Sequence, residues 1–294
     1  MTILLGFPAE SDPDKVARDF LACLSVHLPG IDIVPQNVPG DAGRTMLAAL
    51  GAAEPGGATA GWAITPTLPA RIVDRGDPSL GRRIQLIGQA EREPIAFVSR
   101  PTDPAMSMQD IVQRSGDDSG AVPLGTPPAG SAPHLAALRL QLLARTQLNI
   151  VTFPSAEAAR QAVLAGNVAA AALGLSPIFA DVRDGKLTAI GIAARRRFGL
   201  LPDAPVLDEG GIPLSAFIRR GLAVPAGTSP EVIGWLADAM REATQDDSFR
   251  DRAEATGIHA AWAGGEEWQA QMQTEQAELS QIWTTNPWLS SPRG

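Results

Sequence analysis

The residues able to do chemistry in this chain are few and widely spaced. Its three histidines, His27, His134 and His259, lack the i, i+4 spacing that places two histidine ligands on one helix face. The one cysteine, Cys23, follows Phe20 on a predicted helix, which favours core packing. We therefore expect no metal site and no cofactor. We expect His27, near a helix end, to be a surface or dipole-facing residue.

Nucleophilic catalysis has equally little support in the sequence. Ser131 lies in Ala129-Gly130-Ser131-Ala132-Pro133, which is not the G-x-S-x-G elbow of serine hydrolases. His134 follows three residues later near a helix start, so a hydrolase or isomerase using this pair is an alternative, although no orienting carboxylate is evident. The chain also lacks the dinucleotide-binding glycine pattern and the P-loop lysine. We expect a protein that is not an enzyme.

A strand followed by a small-residue loop and a helix start recurs along the chain. It occurs at residues 7–13, 126–133 and 153–155. The first amides of a helix have no intrahelical acceptor and carry about half a positive charge together, so each start is suited to a carboxylate. The alternative interpretation is that these are ordinary turns of an α/β protein.

Short apolar runs alternate with segments of helical period, which predicts an α/β fold. We expect a helix with Asp12 as N-cap, and others capped by Ser155 and Ser229. Strands are predicted at residues 3–5, 31–34, 60–64, 84–87, 94–98, 121–125, 149–153, 186–193 and 221–224, and residues 168–173 are predicted to be a buried segment. Further helices are predicted at residues 45–50, 107–114 and 266–283, and in a segment whose Leu135, Leu138 and Leu142 share one face.

The series of strands and helices restarts after about residue 99, and we expect the chain to return to its first part near residue 222. We therefore predict two lobes, residues 1–98 with 223–294 as lobe I and residues 99–222 as lobe II. Two lobes joined by two crossings would leave a central cleft, where small ligands usually bind.

Composition excludes several partners. The 294 residues carry a formal net charge of -8, and no basic cluster is longer than residues 195–197, which argues against nucleic-acid binding. Apolar runs such as residues 168–175 fall far short of the ~20 residues that span a bilayer. The first residues do not have the pattern of an export signal, so we expect either a cytoplasmic protein or one whose signal was removed before this numbering.

Several segments, in consistent order over nearly the whole chain, carry a family resemblance. They are Asp14-Lys15-Val16-Ala17-Arg18 and the segments at residues 37–43, 124–136, 163–168, 184–187, 201–213 and 221–230. Together they resemble the solute-binding receptors of tripartite tricarboxylate transporters, the Bug family. No single motif is decisive, but the ordered set is specific.

The resemblance implies a two-lobed, periplasmic-binding-protein-like fold of type II. It implies a periplasmic receptor that closes on a small organic acid, often a dicarboxylate, and delivers it to membrane transporter subunits. It implies neither catalysis nor a cofactor. We expect a monomer. A cytoplasmic small-molecule sensing domain of the same fold stays open as an alternative.

The sequence departs from the family pattern in the loops that we expect to contact the ligand. Residues 9–13 replace a glycine-rich loop, residues 153–155 replace Tyr-x-Gly, residues 56–58 replace Asp-Gly-Tyr, and Ala169 stands where an aspartate is frequent. Glu10 matters most, because a carboxylate about 4 Å from a bound anion costs ~4 kcal/mol at an effective dielectric constant near 20. Either Glu10 points to solvent, or the ligand has an ammonium group or no charge there.

The candidate ligand-binding residues follow from the loops and helix starts. We expect the acid to sit on donors at Gly130 and Ser131, near Ser155, with the first lobe contributing its loop after the first strand. The full predicted set is Pro8, Ala9, Glu10, Ser11, Thr65, Thr67, Gly130, Ser131, His134, Phe153 and Ser155.

Overall fold

The computed structural model describes residues 1–102 and 104–289. It is an α/β protein, which confirms the predicted class. The chain divides into two compact units. Unit 1 comprises Met1–Arg92 and Arg219–Thr285, and unit 2 comprises Glu93–Ile218 with, among the described residues, 286–289. The chain passes from one unit to the other inside two strands, a few residues before the boundaries predicted at 98/99 and 222/223.

Unit 1 is built on parallel strands with antiparallel strands beside them. Strand β1 pairs in parallel with β2 and β3, β3 pairs antiparallel with β9, and β4 pairs antiparallel with β10 through residues 88–92. Its elements are β1 (Thr2–Leu5), α1 (Asp12–Val26), β2 (Val34–Asn37), α2 (Arg44–Ala52), β3 (Thr59–Thr65), α3 (Thr67–Asp74), α4 (Pro78–Arg83), the first part of β4 (Ile84–Ser99), most of β9 (Phe217–Pro225), α9 (Pro230–Gln245), α10 (Asp247–Ala255), β10 (His259–Gly264) and α11 (Gly265–Thr285).

The core of unit 1 is packed around aromatic side chains. Phe20 on α1 lies 5.4 Å from the Trp62 ring on β3 and 5.2 Å from the Phe249 ring on α10, between ring centroids. All three side chains are buried, together with Cys23. The helical spacing of Phe20 and Leu24 therefore serves core packing, as the sequence predicts.

Unit 2 has a second small sheet with helices around it. Strand β5 pairs in parallel with β6 and β7, and residues 95–99 of β4 pair antiparallel with β7 and β8. Its elements are the rest of β4, α5 (Met108–Asp117), β5 (Pro123–Thr126), α6 (Ala132–Ala144), β6 (Asn149–Thr152), α7 (Ala156–Ala165), β7 (Ala170–Gly174), α8 (Phe179–Arg183), β8 (Thr188–Ile192) and the first residues of β9.

The two strands predicted at residues 84–87 and 94–98 are one strand, β4. The intervening charged residues interrupt the apolar pattern of the sequence, but both glutamates, Glu91 and Glu93, are buried and bonded. Glu91 pairs with Arg220 at 3.3 Å, and Glu93 accepts a 2.6 Å hydrogen bond from the Ser176 amide. Burial of a carboxylate is tolerated where such partners exist, so the strand continues through them.

Other boundaries differ from the predictions for local reasons. The N-cap of α1 is Ser11, not Asp12, which is the first helical residue. Strand β2 begins at Val34 rather than Ile31, because it starts where β1 pairs with it, at Thr2. Leu142 is 45% exposed, so it does not share the buried face of Leu135 and Leu138. Helices α3, α4 and α10 and strand β10 were not predicted.

Candidate functional site

Two helices of unit 2 begin at the same edge of its sheet. Strands β5 and β6 are parallel, and Thr126 lies opposite Thr152 where both strands end. Each end is followed by a short loop and a helix, α6 capped by Ser131 and α7 capped by Ser155. Because parallel strands end at one edge, this arrangement brings two helix N-termini to the same side of the unit, a favourable place for an anion.

The loop before α6 is held by hydrogen bonds between its own groups. The Gly130 amide donates to His134 Nδ1 at 3.4 Å, and the Ser131 amide donates to the Pro128 carbonyl at 3.0 Å. Gly130 has a φ of 76°, in the left-handed region that favours glycine. Ser131 Oγ accepts from the His134 amide at 3.5 Å. The amides of Gly130 and Ser131, which we expected to face a ligand, thus have acceptors within the loop.

The groups that remain for an external acceptor are the Ser131 hydroxyl proton and the first amide of α6, on Ala132. Ser131 Oγ accepts one hydrogen bond, which leaves its proton to donate. Ala132 is the first helical residue, and amides there have no acceptor within the helix. The residue after it, Pro133, has no amide hydrogen. The donors of this helix start are therefore few and adjacent.

His134 is a buried, neutral imidazole. Desolvation lowers its pKa to about 4, and the residue is 6% exposed. Since Nδ1 accepts from Gly130, the proton of the neutral ring lies on Nε2. In this geometry the imidazole bonds an amide rather than the Ser131 hydroxyl, so the pair does not have the arrangement of a nucleophile with its general base.

The starts of α6 and α1 differ in their electrostatics, and the first turn of α7 also contains an acidic residue, Glu157. The first turn of α6 contains no acidic residue. The first turn of α1 contains Asp12 and Asp14, and Asp14 accepts a 3.0 Å hydrogen bond from the Glu10 amide. The positive end of α1 is thus compensated by carboxylates of the chain itself, whereas that of α6 is not. Of these two starts, α6 is the better suited to an external carboxylate.

The two other predicted residues of unit 2 lie beside this helix start. Phe153 donates its amide to the Thr126 carbonyl at 2.8 Å, and its half-buried ring covers Gly125, where a Cβ atom would lie 3.2 Å from Phe153 Cε2. Ser155 is exposed, and its Oγ accepts from the Ala158 amide at 3.0 Å. Ser155 therefore caps α7 as predicted, with its hydroxyl proton able to donate outward.

In unit 1 the predicted residues follow the ends of two neighbouring parallel strands. Pro8, Ala9 and Glu10 are exposed in the loop after β1, and Ser11 donates its hydroxyl proton to the Pro8 carbonyl at 2.7 Å. Glu10 has a φ of 62°, unusual for a residue other than glycine. The amides of Glu10 and Ser11 are both bonded within the loop and first turn. Glu10 is exposed, so its carboxylate adds a solvated negative charge to this loop.

Thr65 is the last residue of strand β3, and Thr67 follows it after Pro66. Thr65 is buried and accepts a 3.0 Å hydrogen bond from Trp268 Nε1, while Thr67 is partly exposed at the start of α3. The Thr65–Pro66 peptide bond is cis. The Thr65 hydroxyl is therefore fixed by α11, a contact that the sequence alone does not reveal.

A network centred on Asp14 holds the loop after β1, and the sequence analysis did not identify it. The buried carboxylate of Asp14 accepts from the Glu10 amide, from Arg18 Nε at 2.8 Å and from Asn37 Nδ2 at 2.7 Å. Burial raises the pKa of Asp14, but the hydrogen bonds from Arg18, Asn37 and the amide outweigh it and hold the pKa below its usual value. The i, i+4 spacing of Asp14 and Arg18 is the signal that could have revealed the pair.

Among the described residues, no helix is long and apolar enough to cross a membrane. The chain has the periplasmic-binding-protein-like fold that the family resemblance predicted. More particularly, the profile of the family described as tripartite tricarboxylate transporter family receptor matches residues 30–283. The chain belongs to this family.

Similarity to known proteins supports the assignment to this family. Protein BugT of Bordetella pertussis is 23% identical over 269 residues, which cover 87% of this chain and 79% of BugT. Among solved structures, MatC from Rhodopseudomonas palustris with bound malate is 22% identical with a TM-score of 0.81, covering 96% of this chain and 98% of MatC. Another R. palustris protein, solved with adipate, is 19% identical with a TM-score of 0.83, covering 97% and 96% of the two chains. At these identities the structures show a shared fold.

Proposed function

We propose that this chain is an extracytoplasmic receptor that captures a small organic acid, a carboxylate or an amino acid, and delivers it to a tripartite tricarboxylate transporter. Membership of the receptor family supports this function. So do two proteins of the same fold whose structures hold malate and adipate. The proposal assigns the chain no catalytic step, a monomeric state and a periplasmic location.

The observation that carries the proposal is the uncompensated N-terminus of α6. An acid carboxylate there accepts hydrogen bonds from the Ser131 hydroxyl and the Ala132 amide, with Ser155 at the neighbouring helix start contributing a further donor. Hydrogen bonds to a charged group contribute ~1.5 to 3 kcal/mol each. Three or four of them, after ordering costs, are sufficient for micromolar binding, about −8 kcal/mol.

Unit 1 is proposed to contact the other end of the acid through Pro8, Ala9, Glu10, Ser11, Thr65 and Thr67. Its α1 start is already compensated by its own carboxylates, and Glu10 adds a further exposed negative charge. A second ligand carboxylate near this loop would be repelled. We therefore expect a neutral or ammonium group at that end, so monocarboxylates and amino acids bind more tightly than dicarboxylates.

The first experiment is calorimetry with a panel of monocarboxylic, dicarboxylic and amino acids, followed by Ser131→Ala with the best ligand. Removing one hydrogen bond to a carboxylate lowers the affinity roughly 10- to 100-fold. Ser229→Ala is the matched control, because Ser229 caps α9 in unit 1 through a 3.4 Å bond to the Val232 amide. It removes the same kind of cap and leaves acid affinity unchanged.

Two outcomes would contradict the proposal. If no acid of the panel binds, the assigned ligand class is wrong. If an acid binds and Ser131→Ala leaves its affinity unchanged, the α6 start is not the site.

Fractionation of cells that express the native gene with its full upstream region distinguishes a periplasmic receptor from the cytoplasmic sensing domain. Loss of acid uptake on deletion of the gene, restored by its expression, tests delivery to a transporter.

A further inference from the structure

A thiol, an imidazole and a carboxylate of unit 1 lie together at a place that the acid-binding proposal does not use. Cys23 Sγ, a ring nitrogen of His27 and a carboxylate oxygen of Asp246 all lie within 4.8 Å of one another. Cys23 lies in the last turn of α1, His27 is the C-cap residue that follows the helix, and Asp246 lies between α9 and α10. Folding brings the three groups together across more than two hundred residues of chain.

His27 has the arrangement of a metal-binding imidazole. Its Nδ1 lies 3.4 Å from Glu242 Oε2 on α9, which favours the tautomer with the proton on Nδ1 and a lone pair on Nε2. Within the described ranges, the buried Nε2 atom has no hydrogen-bond partner. It faces Asp246 Oδ2 at 3.7 Å. A buried nitrogen with an unused lone pair, oriented by a carboxylate on the other side of the ring, is a usual feature of metal sites.

The two oxygens of Asp246 have different environments. Oδ1 caps α10, accepting from the Ser248 amide at 2.8 Å and the Phe249 amide at 3.2 Å. Oδ2 is the atom that faces His27. Adjacent ligand atoms of a tetrahedral zinc site are about 3.3 to 3.6 Å apart, given bond lengths of about 2.0 to 2.3 Å. The 3.7 Å separation of His27 and Asp246 is therefore close to the spacing that zinc requires, and the cap need not be broken.

The electrostatic environment of Cys23, His27 and Asp246 also favours a cation. Helices α1 and α9 both end here, and neither has a basic residue in its last turn. The negative C-terminal ends of their dipoles add to the charges of Glu242 and Asp246. Arg252, the cation that acts on Cys23, is bonded to Asp19 at 2.8 Å, which offsets its charge.

We propose that Cys23, His27 and Asp246 bind one Zn²⁺ ion in unit 1, with water as the fourth ligand and Glu242 orienting the imidazole. Burial raises the pKa of the Cys23 thiol to about 11, so the metal displaces the thiol proton when the Zn–S bond forms. The ion ties the end of α1 to the junction of α9 and α10. This is a divalent-metal site in a protein whose sequence predicts none, because the distant aspartate completes it.

The test is a titration of Zn²⁺ into the chelator-treated full chain in competition with a chromophoric chelator. One ion binds per chain, and bound zinc raises the unfolding temperature. Cys23→Ser, His27→Gln and Asp246→Asn each lower zinc affinity by more than about 100-fold, and Glu242→Gln lowers it roughly 10- to 100-fold. His259→Gln is the control, because His259 also faces a glutamate, Glu254 at 3.7 Å, outside the proposed ligand set.

Cobalt substitution gives a second readout, and its spectrum in the wild-type chain does not depend on how well any variant folds. Co²⁺ bound to the wild-type chain shows a thiolate charge-transfer band and the intense visible bands of tetrahedral coordination. The charge-transfer band is absent in Cys23→Ser. Asp246→Asn keeps the capping oxygen, so it separates metal binding from helix capping. Zinc binding unchanged in all three ligand variants, no zinc bound by the wild type, or a cobalt spectrum without the thiolate band would overturn the proposal.

Discussion

His134 links the loop before α6 to the pH dependence of stability. The imidazole accepts from the Gly130 amide and is neutral in the folded protein because burial lowers its pKa to about 4. In the unfolded chain the ring has its ordinary pKa near 6.5. Between about pH 4 and pH 6.5, the imidazole is therefore protonated in the unfolded chain and neutral in the folded protein. The stability associated with this neutral ring is fully present above pH 6.5 and is lost as the pH falls toward 4.

We predict that His134→Asn is less sensitive to mild acid than the wild type. Asn Oδ1 can replace Nδ1 as acceptor for the Gly130 amide, and Asn does not titrate. Between pH 7 and pH 5 the wild type should lose roughly 2 kcal/mol more of its free energy of unfolding than the variant. Urea unfolding of both proteins at the two pH values measures the difference. An equal loss in both would mean that the imidazole is accessible to protons in the folded state.

At the level of single residues, the sequence predicted correctly those features that depend only on neighbouring residues. Ser155 and Ser229 cap their helices as predicted, because a cap is defined by residues within one turn. The burial of His134 and the internal bonding of the Gly130 amide depend on how the loop folds back on α6. The sequence therefore located the loop, and the structure was needed to show which donors of the loop remain available.

At the level of elements, the Asp14 network fixes the loop between β1 and α1. Asp14 bonds the loop at the Glu10 amide, its own helix at Arg18 and strand β2 at Asn37. Asn37 in turn donates to the Phe7 carbonyl at 3.0 Å. The loop proposed to contact the acid is thus positioned by one buried carboxylate that is not among the proposed ligand contacts.

We predict that Asp14→Asn destabilises the protein by about 1 to 3 kcal/mol, because the amide cannot accept all three hydrogen bonds and leaves donors without a partner. Asp12→Asn is the matched control on the same helical turn. Asp12 is exposed, so its substitution should change stability by less than about 0.5 kcal/mol. Chemical unfolding of the two variants measures both values. Equal stabilities would show that the network does not hold the loop.

Elements with strong periodicity were predictable, and those fixed by tertiary contacts were not. Helices α1, α9 and α11 were located from apolar spacing and start signals. Strand β4 was divided in the prediction because Glu91 and Glu93 interrupt the apolar pattern, and their partners, Arg220 and the Ser176 amide, are far away in the sequence. A prediction from sequence ends a strand at charged residues, because it cannot identify hydrogen-bond partners that lie far away in the chain.

At the level of the whole molecule, the proposed acid-binding residues belong to both units, and hydrogen exchange can test each unit separately. With the best acid of the panel at 100 times its dissociation constant, an amide held only in the bound state exchanges about 100-fold more slowly. We predict protection of peptides covering residues 7–11 in unit 1 and 127–134 in unit 2. Residues 226–229 form a similar small-residue loop before α9, outside the proposed site, and should be unchanged.

The same experiment on Ser131→Ala distinguishes how the units contribute. If the α6 start holds the carboxylate, the variant at the same acid concentration loses protection in both loops together, since less acid is bound. Protection confined to residues 127–134 in the wild type would show that unit 2 binds the acid alone and that Pro8, Glu10 and Ser11 are not ligand contacts. Protection confined to residues 7–11 would place the acid at the start of α1 despite its carboxylates, and the charge argument for α6 would then be wrong.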